Sequence, residues 1–435
     1  MASRPPRQYD LVLWGATGYT GRLVAEFLLS RYGTDGELRW ALGGRDGTRL
    51  SGVREQLAGR YPAARRLPLV LGDARDRASL DALARSARVV CTTVGPYALH
   101  GRDLVAACVD AGTDYCDLSG ETPFVRDIID LHHERARDAT GARIVPCCGF
   151  DSVPSDLGTL LVQEHARTRH GATCGEVKGF VVDATGGLSG GTAASMISIV
   201  EQAVRDPSTR RLLSDPYALA PRESPRRSGH RARGERDAER DGERDQWGLR
   251  WDEDLRGWTG PFPMAGVNTR VVRRTNALLE YAWGKDFRYR EASGFSKGAR
   301  GWLTAAWVTA GLGLFVGAMA VSPLRWAISK TVLPSPGEGP SAESRARGHF
   351  AIRFVGVGRA THGTAPPKVF ATVSGSSDPG YGETAKMLAE SAVCLALDEG
   401  VTGRRGGVLT PASCMGMRLV ERLRRAGIRF DVDDS

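Results

Sequence analysis

Apolar positions along this chain follow two rhythms. Tyr9 to Trp14 is a short apolar run of strand length, and Val24, Phe27 and Leu28 then recur at helical spacing, which predicts a strand, a turn and a helix. Strand-like runs return in "LRWALGGRD", "LPLVLGD", "ARVVCTTVGPY", "DYCDL" and "ARIVPCCGFD", with helical stretches between them. Such alternation predicts an α/β chain with a Rossmann-type, doubly wound parallel sheet over residues 8–155. A new pattern begins at "EVKGFVVDATGGLSGGTAASMISIVEQAV", a strand, a glycine-rich loop and a helix, and opens a second, α+β substrate domain over 175–350. Within it "NTRVVRRTNALLEYAWGKDFRYREA" alternates like a strand. Residues 351–435 are expected to complete the fold and pack toward the first domain.

Two stretches break both rhythms. Residues 221–246 hold no apolar residue larger than alanine and nearly balanced charges, the signature of a solvated, disordered insertion. Residues 301–324, "GWLTAAWVTAGLGLFVGAMAVSPL", carry no charge and lie between Arg300 and Arg325. The length suits a buried or interface helix, a helix lying on a membrane or against an acyl chain, or a span. A single span would place the C-terminal part across the membrane from the nucleotide domain.

Composition narrows the classes. At 435 residues two domains are expected. The net charge of +9 comes mostly from arginines scattered among acids, with no basic run interleaved with aromatics, so no nucleic-acid partner is expected. The eight cysteines include no C-x-x-C pair, which argues against structural zinc. "MASRPPRQYD" has no apolar core, so no secretory leader is expected and the setting is a reducing cytoplasm.

The turn after the first strand reads G-x-x-G-x-x-G. Gly15 permits a tight turn, Gly18 lets the main chain approach a pyrophosphate, Gly21 lets the helix lie close to the sheet, and the helix start offers free N–H groups to phosphate. Arg45, ending the second strand, suits a 2′-phosphate and favours NADP(H), although Asp46 is adjacent. The candidate dinucleotide site comprises Gly15, Thr17, Gly18, Tyr19, Thr20, Gly21, Arg45, Asp73, Gly95 and Pro96. Tyr97 either donates a proton or packs on the cofactor. Asp117, Ser119 and Glu121 follow the next strand, where the paired carboxylates could manage protons or hold a cationic substrate, and Ser119 is more simply a helix cap. Asp151 is the second candidate acid, and Cys147 and Cys148 read as strand core. Ser189, Gly190, Gly191 and Thr192 form the candidate substrate loop, whose N–H groups could hold a carboxylate, a phosphate or a thioester enolate. Tyr281 and Lys285 make a Y-x-x-x-K whose surroundings argue for coincidence.

Taken together, "GATGYTG", "GGRD", "VGPYALHG", "AGTDYCDLSGE", "CGFDSVPSDLG", "GGLSGGT", "NTRVVRRTNALL", "DPGYGETAKMLAESAVCLAL" and "GGVLTPAS" resemble the saccharopine dehydrogenase-like oxidoreductases, and within them the trans-acting enoyl reductases of actinobacterial lipid synthesis. The resemblance implies an NADP-binding Rossmann domain, a substrate domain, and reduction in trans of a C=C bond in a polyketide or glycolipid precursor. It also implies an apolar acyl or polyketide substrate, carrier-bound or free, and a cytoplasmic enzyme that can lie peripherally at the plasma membrane through 301–324, alone or as a homodimer. Two rival readings stay open. One is a saccharopine reductase-like reaction on a C–N bond, for which Arg270, Arg273 and Arg274 could supply cationic groups. The other is a non-catalytic NADP-binding partner of lipid synthesis machinery.

Overall fold

A computed structural model describes residues 6–186, 190–224, 243–331, 337–359, 367–398 and 406–433. Two seven-stranded sheets organise these residues. The first consists of β1 (Tyr9–Trp14), β2 (Trp40–Gly44), β3 (Leu69–Leu71), β4 (Ala87–Thr92), β5 (Asp114–Cys116), β6 (Arg143–Val145) and β13 (Gly407–Val408), in the order β13-β6-β5-β4-β1-β2-β3. Every pairing in it is parallel. Parallel strands need crossovers, and these are α1 (Tyr19–Tyr32), α2 (Gly47–Ala58), α3 (Arg77–Ser86), the short α4 (Tyr97–His100), α5 (Arg102–Ala111) and α6 (Thr122–Arg135). Both faces of β1 are buried. Leu11 and Leu13 join the core that includes Val24 and Leu28 of α1, whereas Val12 and Trp14 join the one that includes Leu80 and Val105.

The second sheet is mixed. Its strands β7 (Glu176–Thr185), β8 (Arg250–Asp252), β9 (Gly257–Gly260), β10 (Arg288–Phe295), β11 (His349–Val357), β12 (Lys368–Gly375) and β14 (Arg429–Asp433) lie in the order β14-β12-β11-β7-β10-β9-β8. Its helices are α7 (Val153–His170), α8 (Gly190–Arg205), α9 (Pro207–Ser214), α10 (Ala265–Leu278), α11 (Gly298–Ala320), α12 (Ser322–Thr331), α13 (Ala342–Arg347), α14 (Thr384–Leu397) and α15 (Pro411–Arg425).

Three expectations need correction. Of the segment expected to alternate as a strand, 268–278 lie in α10, in which every residue from Ala265 to Asn276 except Gly266 is buried, and only its end, from Arg288, is the strand β10. The division at 350/351 cuts through β11, which pairs along its length with β7 and β12. The C-terminal part belongs to both sheets: β11, β12 and β14 build the second, β13 extends the first, and α14 packs on α1, β1 and β4. The charged insertion is described only at its ends, because 225–242 lie outside the described residues. Those ends are solvated only in part: Arg222, Glu223 and Arg244 are exposed. Ser224 is buried, and Asp245 forms an ion pair with the buried Arg270.

Candidate functional site

The parallel sheet brings the loops after β1 to β6 to one edge, where open sheets of this kind take ligands. β1 ends in a glycine turn that the chain cannot build otherwise. Gly15 has φ +90°, and a Cβ there would stand 2.7 Å from Val94 Cγ2. The Gly18 N–H closes the turn onto the Gly15 carbonyl at 3.0 Å. A Cβ on Gly21 would stand 2.2 Å from that same carbonyl, so the third glycine serves contact between helix and turn rather than between helix and sheet. Gly18 differs, since its added Cβ would meet only the Gly15 oxygen, at 3.3 Å. It caps α1 without a side-chain hydrogen bond, and no acid lies in the first turn, which leaves the N–H groups at Tyr19, Thr20 and Gly21 to a ligand. Thr17 lies half-buried beside Gly44, with its Cγ2 3.8 Å from where a Cβ would stand.

Arg45 is exposed just beyond β2. Its competitor Asp46 is occupied: the carboxylate caps α2 by accepting the Arg49 N–H at 3.0 Å and pairs with the Arg49 side chain at 3.6 Å. Asp73, beyond β3, is exposed and accepts the Arg75 N–H at 2.9 Å within its own turn. These residues fit a nicotinamide dinucleotide: a bare, uncapped helix start for the pyrophosphate and an exposed guanidinium at the second strand end.

After β4, Gly95 and Pro96 lead into α4. The Glu121 carboxylate accepts the Tyr97 and Ala98 N–H groups, each at 2.9 Å, and the Ser195 hydroxyl at 2.8 Å. Glu121 is thus the cap of α4 and a link to α8, not a proton carrier. A Cβ on Gly95 would lie 3.6 Å from Ser195 Oγ, so α8 of the second sheet overhangs this loop. Tyr97 lies beneath this loop, its Cε2 3.5 Å from where a Cβ on Gly95 would stand. Its ring is buried with Phe124 in the core, its hydroxyl donates to the Thr92 carbonyl at 3.3 Å, and burial holds the phenol well above its ordinary value.

Beyond β5, Asp117 is fully buried and accepts Tyr115 OH at 2.7 Å and the Ser119 N–H at 2.9 Å, while burial pushes its carboxyl up to about 6. Ser119 caps no helix, for α6 begins at Thr122 with Glu121 as its cap residue. Asp151, in the loop after β6, is only partly buried, beside Gly120 and Met264. Desolvation, with the charge of Asp117 added, pushes its carboxyl up to about 7. Cys147 and Cys148 are buried with their thiols raised by desolvation.

Of the glycine-rich substrate loop, Ser189 lies outside the described residues, Gly190 begins α8, and Gly191 and Thr192 are exposed. Thr192 Oγ1 is 2.8 Å from the hydroxyl of Tyr381. The Tyr381 ring stands edge-on to Tyr19 at 5.3 Å, and the Tyr19 hydroxyl accepts from Arg345 at 2.8 Å. Tyr381 therefore joins the substrate loop to the first residue of α1. Sequence reasoning missed it, and its one signal was a tyrosine between two glycines in "DPGYGETAK".

The arginines proposed as substrate cations are taken. Arg270 pairs with Asp245 and binds the Leu213 carbonyl at 3.1 Å, Arg273 binds the Pro216 and Glu243 carbonyls at 2.7 Å, and Arg274 binds those of Leu219 at 2.7 Å and Val408 at 2.6 Å. They clamp the chain on both sides of the charged insertion, and the C–N reading loses its cations. Tyr281 and Lys285 sit in the turn between α10 and β10, not on a helix of the first sheet.

No family model matches the chain. A Mycobacterium tuberculosis protein provisionally named a trans-acting enoyl reductase is 42% identical over 427 residues, with 97% of each chain covered. Trans-acting enoyl reductases of Mycobacterium bovis and Mycobacterium ulcerans are 40% and 39% identical, covering 97% and 98% of both chains. Among solved structures, apo saccharopine dehydrogenase (L-Glu forming) from Saccharomyces cerevisiae superposes with a TM-score of 0.51 at 13% identity, covering 98% of this chain and all of that one, and shows the fold alone. With identity of this order from end to end, and with a dinucleotide cradle at the edge of its parallel sheet, the chain belongs to the trans-acting enoyl reductase family of oxidoreductases.

Proposed function

We propose that this oxidoreductase uses NADPH to reduce the C=C bond of an enoyl group in a lipid or polyketide precursor, acting in trans on a substrate made elsewhere. The observation that carries the reading is the bare start of α1 with the exposed Arg45 beside it, in a chain matched throughout to enoyl reductases. Gly15 to Gly21 would receive the pyrophosphate, Arg45 the 2′-phosphate, and Gly95 and Pro96 would lie on the nicotinamide side. NADPH, when bound, supplies hydride to the β-carbon of the enoyl group. The residues of the chain do the rest. The N–H groups of Gly191 and Thr192 at the start of α8 face the negative charge that develops on the thioester oxygen. Asp151, with its carboxyl pushed up to about 7, is about half protonated at neutral pH and in that form gives its proton to the α-carbon.

The test is NADPH oxidation against a panel of enoyl thioesters and a panel of imines formed from keto acids and amines. Turnover with the enoyl panel alone is the expected result. Tight NADPH binding with no oxidation by either panel would leave the non-catalytic partner instead.

A further inference from the structure

The apolar stretch expected at 301–324 is α11 and the start of α12, and it is not a buried helix. Trp307 is 81% exposed, Leu314 76% and Trp326 67%, and Trp302, Leu303, Val316 and Leu324 are exposed as well. At 3.6 residues per turn the exposed positions of α11 run around most of its circumference, and only a strip through Gly301, Ala305 and Met319 is buried, while Leu324 and Trp326 add exposed apolar surface on α12. That distribution separates the candidate occupants. A second copy of this chain, or any folded partner, would cover one stripe and leave the rest wet. A fluid apolar phase covers every side. Three tryptophans on the exposed surface are the residues expected where hydrocarbon meets headgroups.

Charge agrees. Between Gly298 and Thr331 there is no acid, while Lys297, Arg300 and Lys330 are exposed at the two ends of the pair, suited to anionic headgroups. Topology fixes how the pair enters. The strand before it, β10, and the next strand after it, β11, flank β7 in one sheet. The chain therefore leaves and rejoins the same body, which excludes a single crossing although α11, at about 35 Å, is long enough for one.

We infer that α11 and α12 form a monotopic anchor that enters one leaflet of an anionic membrane and leaves from the same side. α11 packs on α8, the helix that begins at Gly190 and overhangs Gly95, so the membrane contact lies one helix away from the candidate cleft. The inference rests on the helix pair and not on the proposed reaction.

The test uses the full chain with vesicles of phosphatidylcholine alone and of phosphatidylcholine with phosphatidylglycerol, read by co-sedimentation. Sedimentation equilibrium without lipid and NADPH titration accompany it. The expected result is binding to the anionic vesicles, weakened at least tenfold in the doubly substituted Trp307→Glu, Leu314→Glu chain. Its melting temperature and NADPH affinity should stay at the parent values. Absence of vesicle binding by the parent, or equal binding by the variant, overturns the anchor. A parent dimer that the substitutions dissociate, without vesicle binding, overturns it in favour of a second copy.

Discussion

At the residue scale the glycines of the first turn divide by what each touches. Gly18 is spared by the fold, so Gly18→Val should give a folded protein that no longer binds nucleotide, checked by NADPH titration beside a thermal melt. Gly21 is held by the fold, and any side chain there would collide with the Gly15 carbonyl. Arg45→Ala should remove most of an NADPH-over-NADH preference of at least tenfold, the result expected if the guanidinium holds the 2′-phosphate. Equal affinities in the parent would refute the assignment. Asp151→Asn should lower kcat by about a hundredfold or more with NADPH affinity intact. With the protonated form as donor, kcat should fall as pH rises through about 7. Asp156, fully buried, titrates to a different effect. Asp156 binds Thr275 and accepts the Ala412 N–H at 2.8 Å, and burial raises its carboxyl to about 7. A folded-state value above the unfolded one means stability present at low pH and lost as pH rises from about 4 to about 7. Asp156→Asn, which can mimic the protonated acid, should flatten that decline in melting temperature.

At the scale of elements, Tyr381 is the link between nucleotide and substrate loop, and hydrogen exchange can read it directly. NADPH should protect amides of residues 15–22 and of α8 in the parent, and only the former in Tyr381→Phe, which keeps the ring on Tyr19 and loses the bond to Thr192. Protection confined to 15–22 in the parent would remove the link while leaving the cofactor site. The sequence showed the first sheet well because β1 to β6 are short apolar runs separated by amphipathic helices, and there periodicity is a direct image of burial. It hid α10 because that helix is buried nearly all round, with arginines inside. Arg270, Arg273 and Arg274 are held by carbonyls of the 213–219 segment, by those of Glu243 and Val408 and by the Asp245 carboxylate, so polarity along α10 reports partners and not solvent. Tyr97 and Ser119 were misread for a related reason. Nearness to a strand end is visible in a sequence, but the direction of a side chain is decided by packing. Asp245→Ala would leave Arg270 buried without its carboxylate and should destabilise the fold by about 3 kcal/mol, seen as a lower denaturant midpoint.

On the scale of the whole molecule the two sheets are not two separable domains. α14 covers β1 and β4, and β13 edges the first sheet, yet both come from the far end of the chain. A fragment of residues 8–155 should therefore show no cooperative unfolding transition and no NADPH binding, although it holds every residue assigned to the dinucleotide. Intact binding by that fragment would show that the C-terminal helix is dispensable. The same arrangement sets a schedule for synthesis. A ribosome must release nearly the whole polypeptide before the leucines of β1 find their last cover, so the nascent first sheet waits with an apolar face open to chaperones or to neighbouring chains. A stop codon just after β12 would silence nucleotide binding as surely as a lesion in the glycine turn, and a gene fusion that borrows only the front half would inherit a surface instead of a cofactor site.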